Sequence, residues 1–121
     1  LGIGHPTFLC DYPASMAALA RLKAGNQNLA ERFELYIDGL ELANGFSELT
    51  DPEEQRQRFT EERTRIRRAG RTPPALPEPF LSALSDLDEC AGIALGLDRL
   101  LMLFLGKNSI DEVVPFVPEE L

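Results

Sequence analysis

The sequence predicts an α+β fold, an antiparallel β-sheet flanked by helices, and three stretches carry that expectation. Residues 31–37 alternate between apolar and polar and run into Asp38-Gly39, the mark of a two-residue hairpin. Residues 50–70 carry the start and stop signals of a helix, and residues 90–106 pass from a short apolar strand into an apolar helix closed by glycine.

Taken in order, Pro6 to Tyr12 reads as a short strand (Thr7, Phe8, Leu9, Cys10) closed by Pro13. Met16, Leu19 and Leu22 recur at helical spacing, so a helix is expected over Ser15–Lys23, ended by Gly25-Asn26. In the hairpin, Phe33, Leu35 and Ile37 share one face, Arg32, Glu34 and Tyr36 the other, and Leu40 onward resumes a strand. Thr50 or Asp51 then caps a helix with Pro52 at its first position and Glu53-Glu54 in its first turn, running to about Ala69 and stopping at Gly70. Phe59 and Ile66 are its narrow buried stripe. Thr72–Pro79 holds four of the nine prolines and is a connector, and Glu78–Ser85 is a short helix. Cys90–Leu95 is expected as a brief buried strand, Leu97–Leu105 as an apolar helix, and Ile110–Val114 as a last helical turn.

Composition bounds the function. A chain of 121 residues is one domain's worth, and 44% hydrophobic with 26% charged residues excludes general disorder. Net charge is 12 − 20 = −8, which excludes a strongly basic nucleic-acid module. Cys10 and Cys90 form no CxxC and His5 stands alone, so no zinc site is expected and a reduced, cytoplasmic compartment fits best. The longest apolar stretch, Ile93–Leu105, is broken by Gly96, Asp98 and Arg99, so no membrane span is expected, and nothing resembles a signal peptide. The chain starts at Leu1 rather than Met, which points to a piece of something longer.

Three places break a local rule. A two-residue turn pairs Tyr36 with Glu41 and Glu34 with Ala43, making Glu34 and Glu41 diagonal neighbours on one sheet face, where like charges repel unless a cation intervenes. Two such carboxylates could share Mg²⁺ if nucleotide phosphates completed the shell. A plain wet sheet face is the simpler account on the residues alone. Second, Asn44-Gly45 interrupts the returning strand, and Glu48 falls on the same parity as Leu40 and Leu42. Either Gly45 marks a bulge, or Glu48 is a buried anion that needs a cation, from a substrate ammonium or an arginine. Third, Arg99 sits in the first turn of an apolar helix behind Gly96, a junction suited to phosphate or, equally, to an internal Arg99–Asp98 or Arg99–Glu pair. The sequence has no GxxxxGK[ST], so this is not a P-loop. Seven arginines between Arg56 and Arg71, interleaved with Glu and Gln, read as a solvated helix face, though such a face could also meet RNA or an acidic protein.

These places together resemble the class II lysyl-tRNA synthetase family. Pro6-Thr7-Phe8-Leu9-Cys10-Asp11-Tyr12-Pro13 looks like the strand that opens the C-terminal part of its catalytic domain. Glu31-Arg32-Phe33-Glu34 and Glu41-Leu42-Ala43-Asn44-Gly45-Phe46-Ser47-Glu48-Leu49 resemble its hairpin (31–49), and Gly92 to Leu105, around Gly96-Leu97-Asp98-Arg99, is similar to motif 3. The likeness runs nearly end to end and is weakest between Arg65 and Glu89. Pro13-Ala14-Ser15, Ala17-Ala18 where the synthetases usually carry Ser-Pro, and Ala94 where they usually carry Gly look instead like the short paralogue that lysylates elongation factor P. In that paralogue the extra methyl accompanies a preference for β-lysine, a discrimination of about 1–3 kcal/mol for one methyl.

The resemblance implies ATP and Mg²⁺ as cofactors. It implies Glu34 and Glu41 at the metal, Glu41, Leu42, Gly96 and Arg99 at the nucleotide, and Asn44, Glu48 and Ala94 at lysine or β-lysine, with Glu48 on the side-chain ammonium. Glu41 and Arg99 would be the catalytic residues, Arg99 on the γ-phosphate. Motif 1, which builds the dimer interface, and motif 2, whose Arg contacts the α-phosphate, are not in these 121 residues. Residues 1–121 are therefore expected to be the C-terminal portion of a catalytic domain, inactive alone, from a homodimeric parent. The acceptor is elongation factor P or, as runner-up, tRNA-Lys, which an upstream OB-fold would mark. A synthetase-like domain kept only for binding is the third reading, and the retained Glu34, Glu41, Glu48 and Arg99 argue against it.

Overall fold

The computed structural model describes residues 1–117. Strands β1 (Thr7–Pro13), β2 (Leu22–Lys23), β3 (Asn26–Ile37), β4 (Leu40–Ser47) and β5 (Ala91–Leu95) form one sheet in the order β1-β3-β4-β5, with β2 pairing antiparallel to β3. Helices α1 (Pro52–Arg68), α2 (Glu78–Ala83) and α3 (Leu97–Leu105) follow the hairpin, giving the expected α+β class.

The hairpin turn is as expected. Asp38 and Gly39 both take positive φ, 47° and 83°, the type I′ geometry whose twist matches the flanking strands. Helix α1 also obeys its local signals: the Asp51 side chain accepts from the N–H groups of Glu53 and Glu54, Pro52 occupies the first turn, and Gly70 follows at φ 73°. Its buried residue is Gln55, whereas Phe59 and Ile66 are only half-buried, so the apolar stripe is weaker than expected.

Three expectations are corrected. Residues 15–23 do not form a helix. One 3-10 turn over Ala14–Met16 is followed by Ala18 at φ 52° and then by β2. The spacing of Met16, Leu19 and Leu22 is overridden because this backbone pairs elsewhere: Arg21 N–H donates to Ser47 O, Leu49 N–H donates to Leu19 O, and Glu31 N–H donates to Arg21 O. Nor does Asn44-Gly45 interrupt β4, which runs unbroken from Leu40 to Ser47 with Gly45 buried; a strand glycine of this kind removes a side chain without ending the ladder. Finally, β5 is exposed along its whole length rather than buried, because it is an edge of the sheet order and its apolar side chains meet no cover among the described residues. The short helix at 78–85 is α2 completed by a 3-10 turn over Leu84–Asp86, and the last turn is 3-10 over Ile110–Glu112.

Two compact units divide the chain. The first comprises Leu1–Cys10, Phe33–Gly45 and the residues from Ile93 onward. It buries Leu42, Ala43 and Met102, stacks Phe8 edge-on against Phe33 at 5.7 Å, and ties its N-terminus to the hairpin turn through Asp38 N–H to Gly2 O at 2.7 Å. The second comprises Asp11–Arg32 and Phe46–Gly92. Its core is Tyr12, Ala17, Ala20 and Ala30, with Leu22 and Phe46 packed against it. Such small side chains let the loop at 17–20 approach β3 closely. Arg32 lies over the Tyr12 ring at 4.5 Å and donates to Met16 O at 2.8 Å, which holds the start of that loop.

Candidate active site

Helix α3 begins where β5 ends, at Gly96, and two hydrogen bonds set its first turn against β4. Gly96 N–H donates to Leu42 O at 2.8 Å, and Arg99 Nη1 donates to Glu41 O at 2.7 Å. The helix closes at Gly106 in the left-handed conformation, φ 60°. Arg99 thus spends one N–H on a backbone carbonyl and makes no ion pair among the described residues, so the internal Arg99–Asp98 or Arg99–Glu pair is not formed. The rest of its guanidinium fork remains available to an anion.

This junction walls a cleft of about 350 Å³ in the first unit. Glu41, Leu42, Asn44, Ala94, Gly96 and Arg99 line it, six of the eight residues singled out in the sequence, together with Ala43, Asp98 and Ile110. Glu34 and Glu48 are not among its lining residues. A larger cleft of about 470 Å³, in the second unit, is lined by none of the eight.

Glu34 is 7% exposed and accepts a hydrogen bond from the Tyr36 hydroxyl at 2.7 Å. Glu41 is half-buried, and its carboxylate has no partner among the described residues. No group of three or more His, Cys, Asp or Glu able to hold a metal exists among the described residues. Glu34 and Glu41, the two carboxylates expected at the metal, both belong to the first unit.

In the second unit, Glu48 is held by its backbone. Its N–H donates to Cys90 O at 2.9 Å, and it faces Ala20 as an isolated antiparallel bridge. The side chain is half-buried and finds no arginine, so of the two partners expected for it the internal one is ruled out among the described residues. Gly92 lies close to the carboxylate: a Cβ there would stand 3.2 Å from Glu48 Oε1, a tight contact that would displace it by a few tenths of an ångström. Nearby, Arg21 donates from Nε and Nη2 to Glu31 Oε2 at 3.1 and 3.0 Å and pairs through Nη1 with Glu89 at 2.9 Å. The Ser47 hydroxyl and then Arg21 hold the Glu31 carboxyl below its ordinary range, and Glu31 and Glu89 push Arg21 further up.

Two residues of the second unit carry no local mark in the sequence, because what they touch is distant in sequence: Gly92, the first residue of a motif, lies against Glu48, and Arg58, one of seven arginines on a solvated face, donates to Ala18 O and Ala20 O. Cys10 and Cys90 are free and exposed. No helix among the described residues is long and apolar enough to cross a membrane.

Residues 3–120 match the family model described as tRNA synthetases class II (D, K and N). Curated relatives are named elongation factor P–(R)-β-lysine ligase. The chain is 46% identical to that of Vibrio atlanticus (strain LGP32) over 117 residues, covering 96% of this chain and 36% of the relative. Identity is 47% over 117 residues with the Proteus mirabilis (strain HI4320) protein, with the same coverage. It is 48% over 122 residues with that of Pectobacterium carotovorum subsp. carotovorum (strain PC1), covering 98% and 37%. The chain thus spans a little over a third of the length of these relatives. With a match that runs from β1 to beyond α3, and relatives that are ligases, the chain belongs to the class II tRNA synthetase family of the D, K and N type.

Proposed function

We propose that residues 1–121 are the C-terminal portion of the catalytic domain of an ATP-dependent ligase. It activates lysine or β-lysine as an adenylate and transfers it to a lysine of elongation factor P. The observation that carries this reading is the cleft in which Glu41, Leu42, Asn44, Ala94, Gly96 and Arg99 converge, because β4 and the β5–α3 junction bring together residues some fifty positions apart.

In the first step the amino-acid carboxylate attacks the α-phosphorus of ATP and pyrophosphate leaves. In the second, an acceptor amine attacks the adenylate carbonyl, loses a proton, and AMP leaves. Such chemistry is mostly positioning and neutralisation of charge. Arg99 binds the γ-phosphate with the donors left after Glu41 O takes one. Leu42 and Gly96, joined by their own hydrogen bond, form the backbone ledge for the nucleotide. Glu34 and Glu41 would hold Mg²⁺, which would supply neutralisation of phosphate charge. Glu48 takes the substrate ammonium, since no Lys or Arg among the described residues pairs with it, and Asn44 and Ala94 are residues of lysine or β-lysine recognition. Motif 1 and motif 2 functions lie in the remaining length of the parent, which acts as a homodimer in the cytoplasm, and the fragment alone is inactive.

The test uses the full-length protein with ATP, Mg²⁺ and either α- or β-lysine, offered elongation factor P and tRNA-Lys together, each acceptor weighed by mass spectrometry. A gain on elongation factor P, larger with β-lysine, is expected. Charging of tRNA-Lys with α-lysine alone would refute the acceptor and the role of Ala94 together, and turnover by the 121-residue chain alone would refute its incompleteness.

A further inference from the structure

The loop at 17–20 is held in a conformation that its residues would not choose. Ala18 stands at φ 52°, where an alanine Cβ crowds its own carbonyl, and only Ala17 and Ala20 make short i→i+3 bonds nearby. The restraint comes from α1. Arg58 Nη1 donates to Ala18 O at 3.1 Å and Ala20 O at 2.7 Å, while Nη2 binds Glu54 Oε1 at 2.6 Å one turn earlier on the same helix. The Arg58 side chain is 19% exposed, so this fork is largely shielded from water.

What the clamped loop then touches is Glu48. Leu49 N–H donates to Leu19 O at 2.9 Å and Arg21 N–H donates to Ser47 O at 2.8 Å, one rung on either side of Glu48, with Ala20 directly opposite. On its other side the Glu48 N–H is held by Cys90 O, and Gly92 lies close to its carboxylate. We propose that Arg58 is a positioning residue for amino-acid recognition: by clamping Ala18 and Ala20 it fixes the loop that sets where the Glu48 carboxylate stands. The inference rests on the reading of Glu48 as the ammonium-binding residue. Arg58 touches no substrate itself, and loosening it blurs the carboxylate's position without removing its charge.

Amino-acid-dependent exchange of pyrophosphate into ATP by the full-length protein reads the KM for lysine or β-lysine separately from the KM for ATP. Glu48→Gln is expected to raise the amino-acid KM about 10- to 100-fold, the loss of one charge-assisted bond, with the ATP KM unchanged. Arg58→Ala is expected to raise the amino-acid KM about tenfold, again sparing ATP, because two loop carbonyls lose their donor. Arg58→Lys, which can keep one of those bonds, should fall between Arg58→Ala and the parent, and it stands in if Arg58→Ala does not fold. A normal amino-acid KM in both Arg58 variants, beside a raised one in Glu48→Gln, would overturn the role of Arg58 alone. So would a rise in both KM values together, the mark of general loosening. A normal amino-acid KM in Glu48→Gln would overturn the reading of Glu48 and the inference with it.

Discussion

Replacing Gln55 with methionine should make the protein more stable. Gln55 is 1% exposed on the inner side of α1, and neither its Oε1 nor its Nε2 has a hydrogen-bond partner among the described residues. A buried polar group left unpaired costs about 1–3 kcal/mol, whereas an apolar replacement of the same shape carries no such penalty. Methionine is close to glutamine in length, unbranched, and of similar helix propensity, so neither packing nor α1 itself should object. The gain expected is about 1–2 kcal/mol, allowing for small readjustments of the wall around Ala17 and Leu19. Urea unfolding of the full-length protein beside Gln55→Met reads it directly. With a slope of about 1–3 kcal/mol per molar, the midpoint should rise by roughly 0.3–2 M at an unchanged slope. A fall in the midpoint at constant slope would refute the reasoning, since it would mean that the amide is satisfied in solution, by water or by the rest of the protein.

Two further outcomes follow from the structure. Gly2→Ala would place a Cβ 2.5 Å from Tyr36 O at a residue with φ 71°, so a loss of about 2 kcal/mol or more is expected in thermal melts, and a loss under 0.5 kcal/mol would show that the N-terminal contact is not formed. Glu31 should titrate below its ordinary 4.5 when followed by NMR, because the Ser47 hydroxyl and Arg21 favour its charged form. Its folded pKa is depressed, so its contribution to stability is complete above the unfolded value and disappears as pH falls through the folded one. Arg21→Ala should move that midpoint up but leave it below 4.5, since Ser47 remains; a midpoint indifferent to Arg21 would contradict the pairing.

The parts of this fold that could be read from sequence are those decided within a few residues. Asp51, Pro52 and Gly70 bracket α1 by capping chemistry that needs no distant partner, and Asp38-Gly39 sets the hairpin because both residues accept positive φ. Residues 15–23 depart from the expected helix for the opposite reason: the apolar spacing of Met16, Leu19 and Leu22 is local, but Arg32, Arg58 and the rungs to Ser47 and Leu49 are not. The burial of β5 likewise depends on what covers it, which an apolar run does not specify. Among the site residues, Glu41, Gly96 and Arg99 stood out through misplaced charge or a glycine at a junction. Asn44 is marked only through the Asn-Gly pair in a strand, while Leu42 and Ala94 are ordinary residues by any local rule that the family resemblance alone singles out; the cleft brings all three together.

The exposed edge at β5 has a practical consequence for anyone handling the chain by itself. Ile93 and Leu95 present apolar side chains on a strand with unpaired backbone groups, a template for pairing with a second molecule. A net charge of −8 keeps copies apart in dilute buffer. Raising the ionic strength to 0.1 M shortens the reach of that repulsion to about 10 Å, and the strand edge then faces its neighbours almost unopposed. Colloidal behaviour of the isolated chain is thus governed by salt through its charge, and low-salt buffers are the conditions in which it should stay monodisperse.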